Sequence, residues 1–193
     1  MLKGYSDIVG EYSLVFDLCY YTLASLSVRA EAGQSRRRHH PLATWVAAMS
    51  ASFAGSLLAN PLLGKPVLGA LSDEWQVLLA SLVWWAVFYS PGDMVTTLAT
   101  NKLLYIPLCV AKEIMRGKKV MGGMAAARAV FPDHELIIVI IGVIKGNGSS
   151  FMKPLTKLIL GDWSPNKSEI LKMSVTSKAC LAAVIAFLLH SNG

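Results

Sequence analysis

Lys112 and Arg116 lie four residues apart in the segment KEIMRGKK, a spacing that stacks their side chains on one face of a helix. Lys119 falls close to the same stripe, and Glu113 adjoins it. A lysine and an arginine so placed can donate charge-assisted hydrogen bonds to a phosphate group. The ridge reads equally as long basic side chains snorkelling from a span end to the membrane interface. A second constellation is KGNGSS, in which Lys145 and Asn147 alternate with Gly146 and Gly148 directly after the apolar run LIIVIIGVI. Unwound backbone inside a bilayer is tolerated only where protein or water satisfies its polar groups, so these four residues predict a helix break that lines a cavity. FAGS, Phe53 to Ser56, offers Gly55 and Ser56 as a counterpart break. Close packing of helices through small residues explains AGS as well.

Other chemistry is thinly represented. Asp17 and Lys102 sit within apolar stretches, where a charge costs at least about 2.5 kcal/mol unless paired or hydrated. His39 and His40 adjoin arginines, a setting for a solvated loop and not for a metal. Cys19, Cys109 and Cys180 are scattered singly, without the paired spacing of a metal site or disulfide framework. No HExxH, GxSxG, Walker or paired-cysteine pattern occurs, so an enzyme has no nucleophile or metal to name and is not expected.

The elements that must position these residues follow from composition. Of 193 residues, 54% are hydrophobic and only 16% charged, with mean hydropathy +0.49, against roughly 25% charged in an average soluble domain. The net charge of +6 and pI near 9.3 therefore fit anionic lipid headgroups better than nucleic acid. Six segments qualify as transmembrane spans: Tyr12 to Val28, Leu42 to Asn60, Trp75 to Gly92, Met94 to about Arg116, Leu136 to Met152, and Leu171 to His190. Pro107 should kink the fourth. Phe151 to Leu160 reads as a short amphipathic connector. Asp7 and Glu11 interrupt any cleavable-signal pattern, so the first span is expected to remain in the mature chain.

The expected fold class is an all-α membrane protein, a single transmembrane domain over 1–193. The segment RAEAGQSRRRHH, Arg29 to His40, reads as a basic loop and so as cytoplasmic, leaving the N-terminus on the other side. The next basic segment, Arg116 to Arg128, then falls on the opposite face. That conflict disappears if spans one to three (about 8–92) and four to six (about 93–190) are inverted three-helix repeats. Each half has a first span ending in a basic loop and then a glycine-interrupted second span, which points to a site near the midplane.

These residues carry a resemblance. The stretch from Lys112 to Gly148, with KExxR followed by Pro132 and then KGxG, resembles the trimeric intracellular cation channel family. Further matches are SPGD at Ser90 to Asp93, DWSP at Asp162 to Pro165, and SEILKMS leading into the sixth span. The resemblance implies a potassium-permeable channel of the endoplasmic or sarcoplasmic reticulum that supplies counter-ion current during calcium release and reuptake. It also implies a homotrimer with one pore inside each subunit. Lys112 and Arg116, with Gly146 and Gly148, would hold the headgroup of a phosphoinositide (PIP2-like) lipid. Gly55, Ser56, Lys145 and Asn147 would line the pore at the helix breaks. Members of that family have a seventh span and a charged tail beyond the point where this sequence ends at Gly193.

A basic ridge beside a cation pathway needs an offset. Two unit positive charges 4 Å apart repel by about 4 kcal/mol at an effective dielectric near 20. A polyanionic inositol lipid supplies the neutralising charge. The alternative function is a secondary transporter, whose architecture also uses inverted repeats and broken helices.

Overall fold

The computed structural model describes residues 13–161 and 175–192, and these form helices and short turns with no strand among them. The sequence expectations for the N-terminal segment up to Tyr12, for Asp162 to Pro165 and for the residues of the sixth span before Val175 lie outside the described residues.

Helix α1 spans Ser13–His39 and α2 Pro41–Leu62. Pro41 begins α2, at a position where its missing N–H would have had no intrahelical partner. A 3-10 turn at Val67–Leu71 leads to α3, Glu74–Tyr89, whose first turn is capped by Asp73 accepting from the Gln76 amide at 3.2 Å. The chain then bends by 94° through Pro91–Asp93 into the short α4, Met94–Thr100. Asn101 caps α5, Lys102–Val130, by accepting from the Leu103 amide at 3.2 Å. Helix α6 spans Glu135–Ile159 and α7 Val175–Asn192.

Several sequence expectations are corrected here. The segment Arg29 to His40 is not a loop. It continues α1 as far as His39, with a kink at Gly33, whose φ of 67° is a conformation open to glycine at little steric cost. The fourth span does not run from Met94 to Arg116: the chain turns at Asn101, and α5 continues through Arg116 to Val130. The supposed second basic loop is thus helix interior, built of the strong formers in KKVMGGMAAARAV, and the basic ridge lies mid-helix. Pro107, the sixth residue of α5, is accommodated within it. The expected breaks at Gly55 and at Lys145 to Gly148 are absent, because α2 and α6 each run through their glycines. Phe151 to Leu160 is not a connector either, since α6 continues to Ile159.

Of the six spans the sequence predicts, α2 and α6 are long and apolar enough to cross a bilayer among the described residues, and the bent pair α3–α4 makes a third if counted as one. Helix α5 carries too much charge after Ala111 to qualify. Along α3, Trp75, Leu78, Leu82, Trp85 and Tyr89 recur at intervals of three and four and are all exposed. A stripe of large apolar side chains left open to this degree suits lipid or a protein partner, not water.

The buried residues form two clusters. One joins Tyr20, Tyr21 and Val28 of α1 with Ala47, Ala48 and Met49 of α2 and Val83, Val87 and Phe88 of α3. The other joins Val120, Met124 and Ala127 of α5 with Ile138 and Ile141 of α6 and Cys180 and Val184 of α7. Helices α2 and α6 pack extensively on each other between them. At their crossing, a Cβ on Gly148 would overlap the backbone nitrogen and Cα of Gly55, and a Cβ on Gly55 would overlap the carbonyl oxygen of Lys145. Glycine at these positions lets the two backbones touch, which is the small-residue packing and not the helix break.

Candidate functional site

The crossing of α2 and α6 sits beside a cavity of about 460 Å³ enclosed by α1, α5 and α6. From α5 it takes Tyr105, Cys109, Lys112 and Arg116, which recur every three or four residues and so share one helix face, with Glu113 beside them. From α6 come Ser149, Ser150, Lys153 and Thr156, and from α1 Tyr20, Ser27 and Glu31. Thr100, the last residue of α4, and Ala51 of α2 also line it.

A second, much smaller space of about 10 Å³ lies beside this cavity, sharing Tyr20, Lys112, Arg116 and Ser149 with it and lined also by Gly55, Lys119, Lys145, Gly146 and Gly148. That is room for about one water, a narrow throat at the glycine crossing. Four basic side chains, Lys112, Arg116, Lys119 and Lys145, converge on it. A Cβ on Gly146 would lie 2.5 Å from Val120 Cγ2 and 2.6 Å from Cys180 Sγ, so its glycine lets α6 seat against α5 and α7.

The ridge is only partly neutralised. Arg116 Nη1 stands 2.9 Å from Glu113 Oε2. The contact is one of charge alone, because Nη1 is buried and makes no hydrogen bond of acceptable geometry, leaving its donor unspent. Lys119 Nζ lies over the Tyr20 ring, 3.4 Å from its centroid, and 3.5 Å from the Ser52 carbonyl oxygen, to which the Tyr20 hydroxyl also donates at 3.0 Å.

The sequence-predicted residues are thus largely brought together. Lys112, Arg116, Gly146, Gly148, Gly55 and Lys145 all line the throat. Ser56 and Asn147 line neither space. Asn147 is 1% exposed, and neither its amide oxygen nor its nitrogen finds a partner. Asp17 is held by Gln76, whose Nε2 donates to Oδ2 at 3.1 Å while Tyr21 donates to its Oε1 at 2.5 Å, so the carboxylate is bonded within the first cluster. Lys102 opens α5 and is exposed, outside any apolar interior. Tyr20, which lines both spaces, and Arg29, which is buried, are positions that sequence reasoning missed. A tyrosine among apolar neighbours reads as core, and an arginine at the head of a basic run reads as solvated.

An all-helical bundle that buries a basic, polar path beside two membrane-length helices is the build of a protein that moves or binds charged species in a bilayer. Residues 30–193 match the family model described as TRIC channel, and the chain belongs to that family. It is 42% identical to the trimeric intracellular cation channel type 1B.2 of Caenorhabditis elegans, over 92% of this chain and 58% of that one. It is 34% identical to the type A channel of Homo sapiens, over 92% and 60%. The structure of a trimeric intracellular cation channel from C. elegans in the absence of Ca2+ superposes with a TM-score of 0.87 at 38% identity, covering 98% of this chain and 85% of that one. A structure described for the activity of TRIC counter-ion channels in calcium release superposes with a TM-score of 0.85 at 29% identity, covering 97% and 87%. The chain spans about three fifths of the length of the two named relatives. They are named as channels and not as enzymes, in keeping with the lack of a catalytic motif.

Proposed function

We propose that this chain is a potassium-permeable channel of the endoplasmic or sarcoplasmic reticulum membrane, carrying counter-ion current while calcium is released or taken back. The observation that carries the reading is the convergence of Lys112, Arg116, Lys119 and Lys145 on one polar throat between α1, α2, α5 and α6. Four cationic groups would exclude potassium on their own, since each pair repels by about 4 kcal/mol at 4 Å for an effective dielectric near 20. A phosphoinositide headgroup in the 460 Å³ cavity offsets them, with the unspent donor of Arg116 and the ammonium of Lys112 as its phosphate ligands and Gly146 and Gly148 in the adjoining throat. When the throat widens, Gly55, Ser56, Lys145 and Asn147 line the path. The unpartnered Asn147 amide supports this, because a buried polar group without a partner calls for water or an ion.

The same reading takes the chain as two inverted three-helix repeats with six spans, and as a homotrimer with a pathway inside each protomer. The two buried clusters support the repeat: one is drawn mainly from α1–α3, with Met115 and Leu160 from the second half, and the other mainly from α5–α7, with Ala59 and Leu63 from the first. A two-fold axis in the membrane plane would exchange α2 with α6 and pass near the Gly55–Gly148 crossing. The names of the C. elegans and human relatives support the trimer. The basic segment 29–41 then faces the cytosol.

The test is single-channel recording in a planar bilayer under a potassium gradient, with and without phosphatidylinositol 4,5-bisphosphate. A unitary conductance reversing near the potassium potential is expected. Saturable flux of one solute without unitary steps would identify a transporter instead, and a monomeric or dimeric mass in detergent would overturn the trimer.

A further inference from the structure

Arg29 stands at the head of the basic run yet is buried, only 7% exposed, and its guanidinium reaches three anchors at once. Nη1 donates to the Val87 carbonyl and to Thr96 Oγ1, the latter at 2.5 Å, and Nη2 pairs with Asp93 Oδ1 at 2.5 Å. Val87 belongs to the last turn of α3, Asp93 to the turn after it and Thr96 to α4, so one side chain from α1 grips both arms of the 94° bend.

The arm beyond the bend is also held by the Thr96 hydroxyl, which donates to the Val87 carbonyl at 3.2 Å, by the Val95 amide, which donates to Ser90 Oγ at 3.4 Å, and by the Val95 side chain on the first buried cluster. Helix α4 is seven residues long and Ala99 is its one buried residue, whereas isolated helices this short are unstable in water. Its last residue, Thr100, lines the cavity together with Tyr105 and Cys109 of α5 and Ser27 and Glu31 of α1.

We propose that Arg29 is the positioning residue of the cavity mouth, a three-pronged clip that keeps α4 closed against α1 and whose release admits solutes to the cavity. The clip is built to release. Asp93 is 56% exposed, so its half of the ion pair is open to water and to screening by salt, unlike the buried bond to the Val87 carbonyl. The inference concerns access to the cavity and stands apart from what the cavity binds or conducts.

Cys109 is a native reporter, half-buried in the cavity wall. With Cys19 and Cys180 replaced by alanine in the full chain in nanodiscs, the rate of its modification by a neutral, water-soluble methanethiosulfonate reads the opening of the mouth. Asp93→Asn isolates the charge, because Asp93 sits at φ 56° in the left-handed region that asparagine tolerates well. Loss of one charge-assisted bond should speed modification about tenfold. Thr96→Val removes a prong without changing charge, together with the Thr96–Val87 bond across the bend, and should move the rate in the same direction, while Arg29→Lys, which leaves that bond intact, should fall between Arg29→Met and the parent. Raising ionic strength should speed the parent and leave Asp93→Asn unaffected. In a background with Cys180 as the single thiol, that buried sulfur should stay unreactive in every variant. An unchanged Cys109 rate in Asp93→Asn and Thr96→Val would overturn the clip, and so would equal unmasking of Cys180, which would mean general loosening of the bundle.

Discussion

The backbone nitrogen and Cα of Gly55 occupy the place a side chain on Gly148 would need. Because the obstacle is backbone and not a flexible side chain, Gly148→Ala cannot be absorbed by a rotamer change, and α2 must move away from α6. Overpacking of this kind costs about 1–3 kcal/mol and occasionally more. Gly122→Ala in α5 is the matched control, since nothing lies within 4 Å of its added methyl. That change should stabilise by up to about 1 kcal/mol through helix propensity. Thermal unfolding of both variants in detergent should therefore shift in opposite directions.

If the proposed function holds, Lys112→Ala and Arg116→Ala should weaken binding of phosphatidylinositol 4,5-bisphosphate and alter open probability while leaving folding largely intact. Hydrogen bonds to charged groups are worth about 1.5–3 kcal/mol, which predicts losses of roughly tenfold or more in lipid affinity. Arg116→Lys should be only partly active, because an ammonium cannot reproduce a bidentate guanidinium grip. A voltage-sensing role would instead flatten voltage dependence at unchanged lipid affinity, and unaltered values of both would leave the two residues as interface anchors.

Tyr20 serves Lys119 through its ring and Ser52 through its hydroxyl. Tyr20→Phe should keep the ring contact and cost about 0.5–1.5 kcal/mol for the lost hydrogen bond. Tyr20→Leu should also free Lys119, adding roughly 0.5–2 kcal/mol. A larger change in open probability for leucine than for phenylalanine would confirm that the ring, more than the hydroxyl, holds the throat closed.

Asp17→Ala should leave the Gln76 amide without its carboxylate partner and destabilise by about 1–3 kcal/mol. Asp17→Asn keeps an acceptor oxygen and should cost less. A double-mutant cycle with Gln76→Ala, read by thermal unfolding, should show the two losses to be strongly non-additive.

The amino-acid order alone determined the solvent, the helical class and the composition of the site. Apolar content, the long uncharged stretches and the spacing of Lys112 and Arg116 are local properties, and a helix places residues four apart on one face wherever it packs. The same locality explains the errors. Gly55 and the pair Gly146 and Gly148 were legible as special positions, but a glycine that breaks a helix and one that admits a neighbouring backbone look alike until the neighbour is present. Only the tertiary structure decided for contact, by setting α2 on α6. Likewise the run from Arg29 to His40 is basic enough to read as solvated, yet Arg29 is drawn inside because three acceptors from α3, the following turn and α4 converge on it, some 58 to 67 positions along the chain. Those partners are brought within reach by the 94° bend, a feature of chain path that no short window of sequence contains.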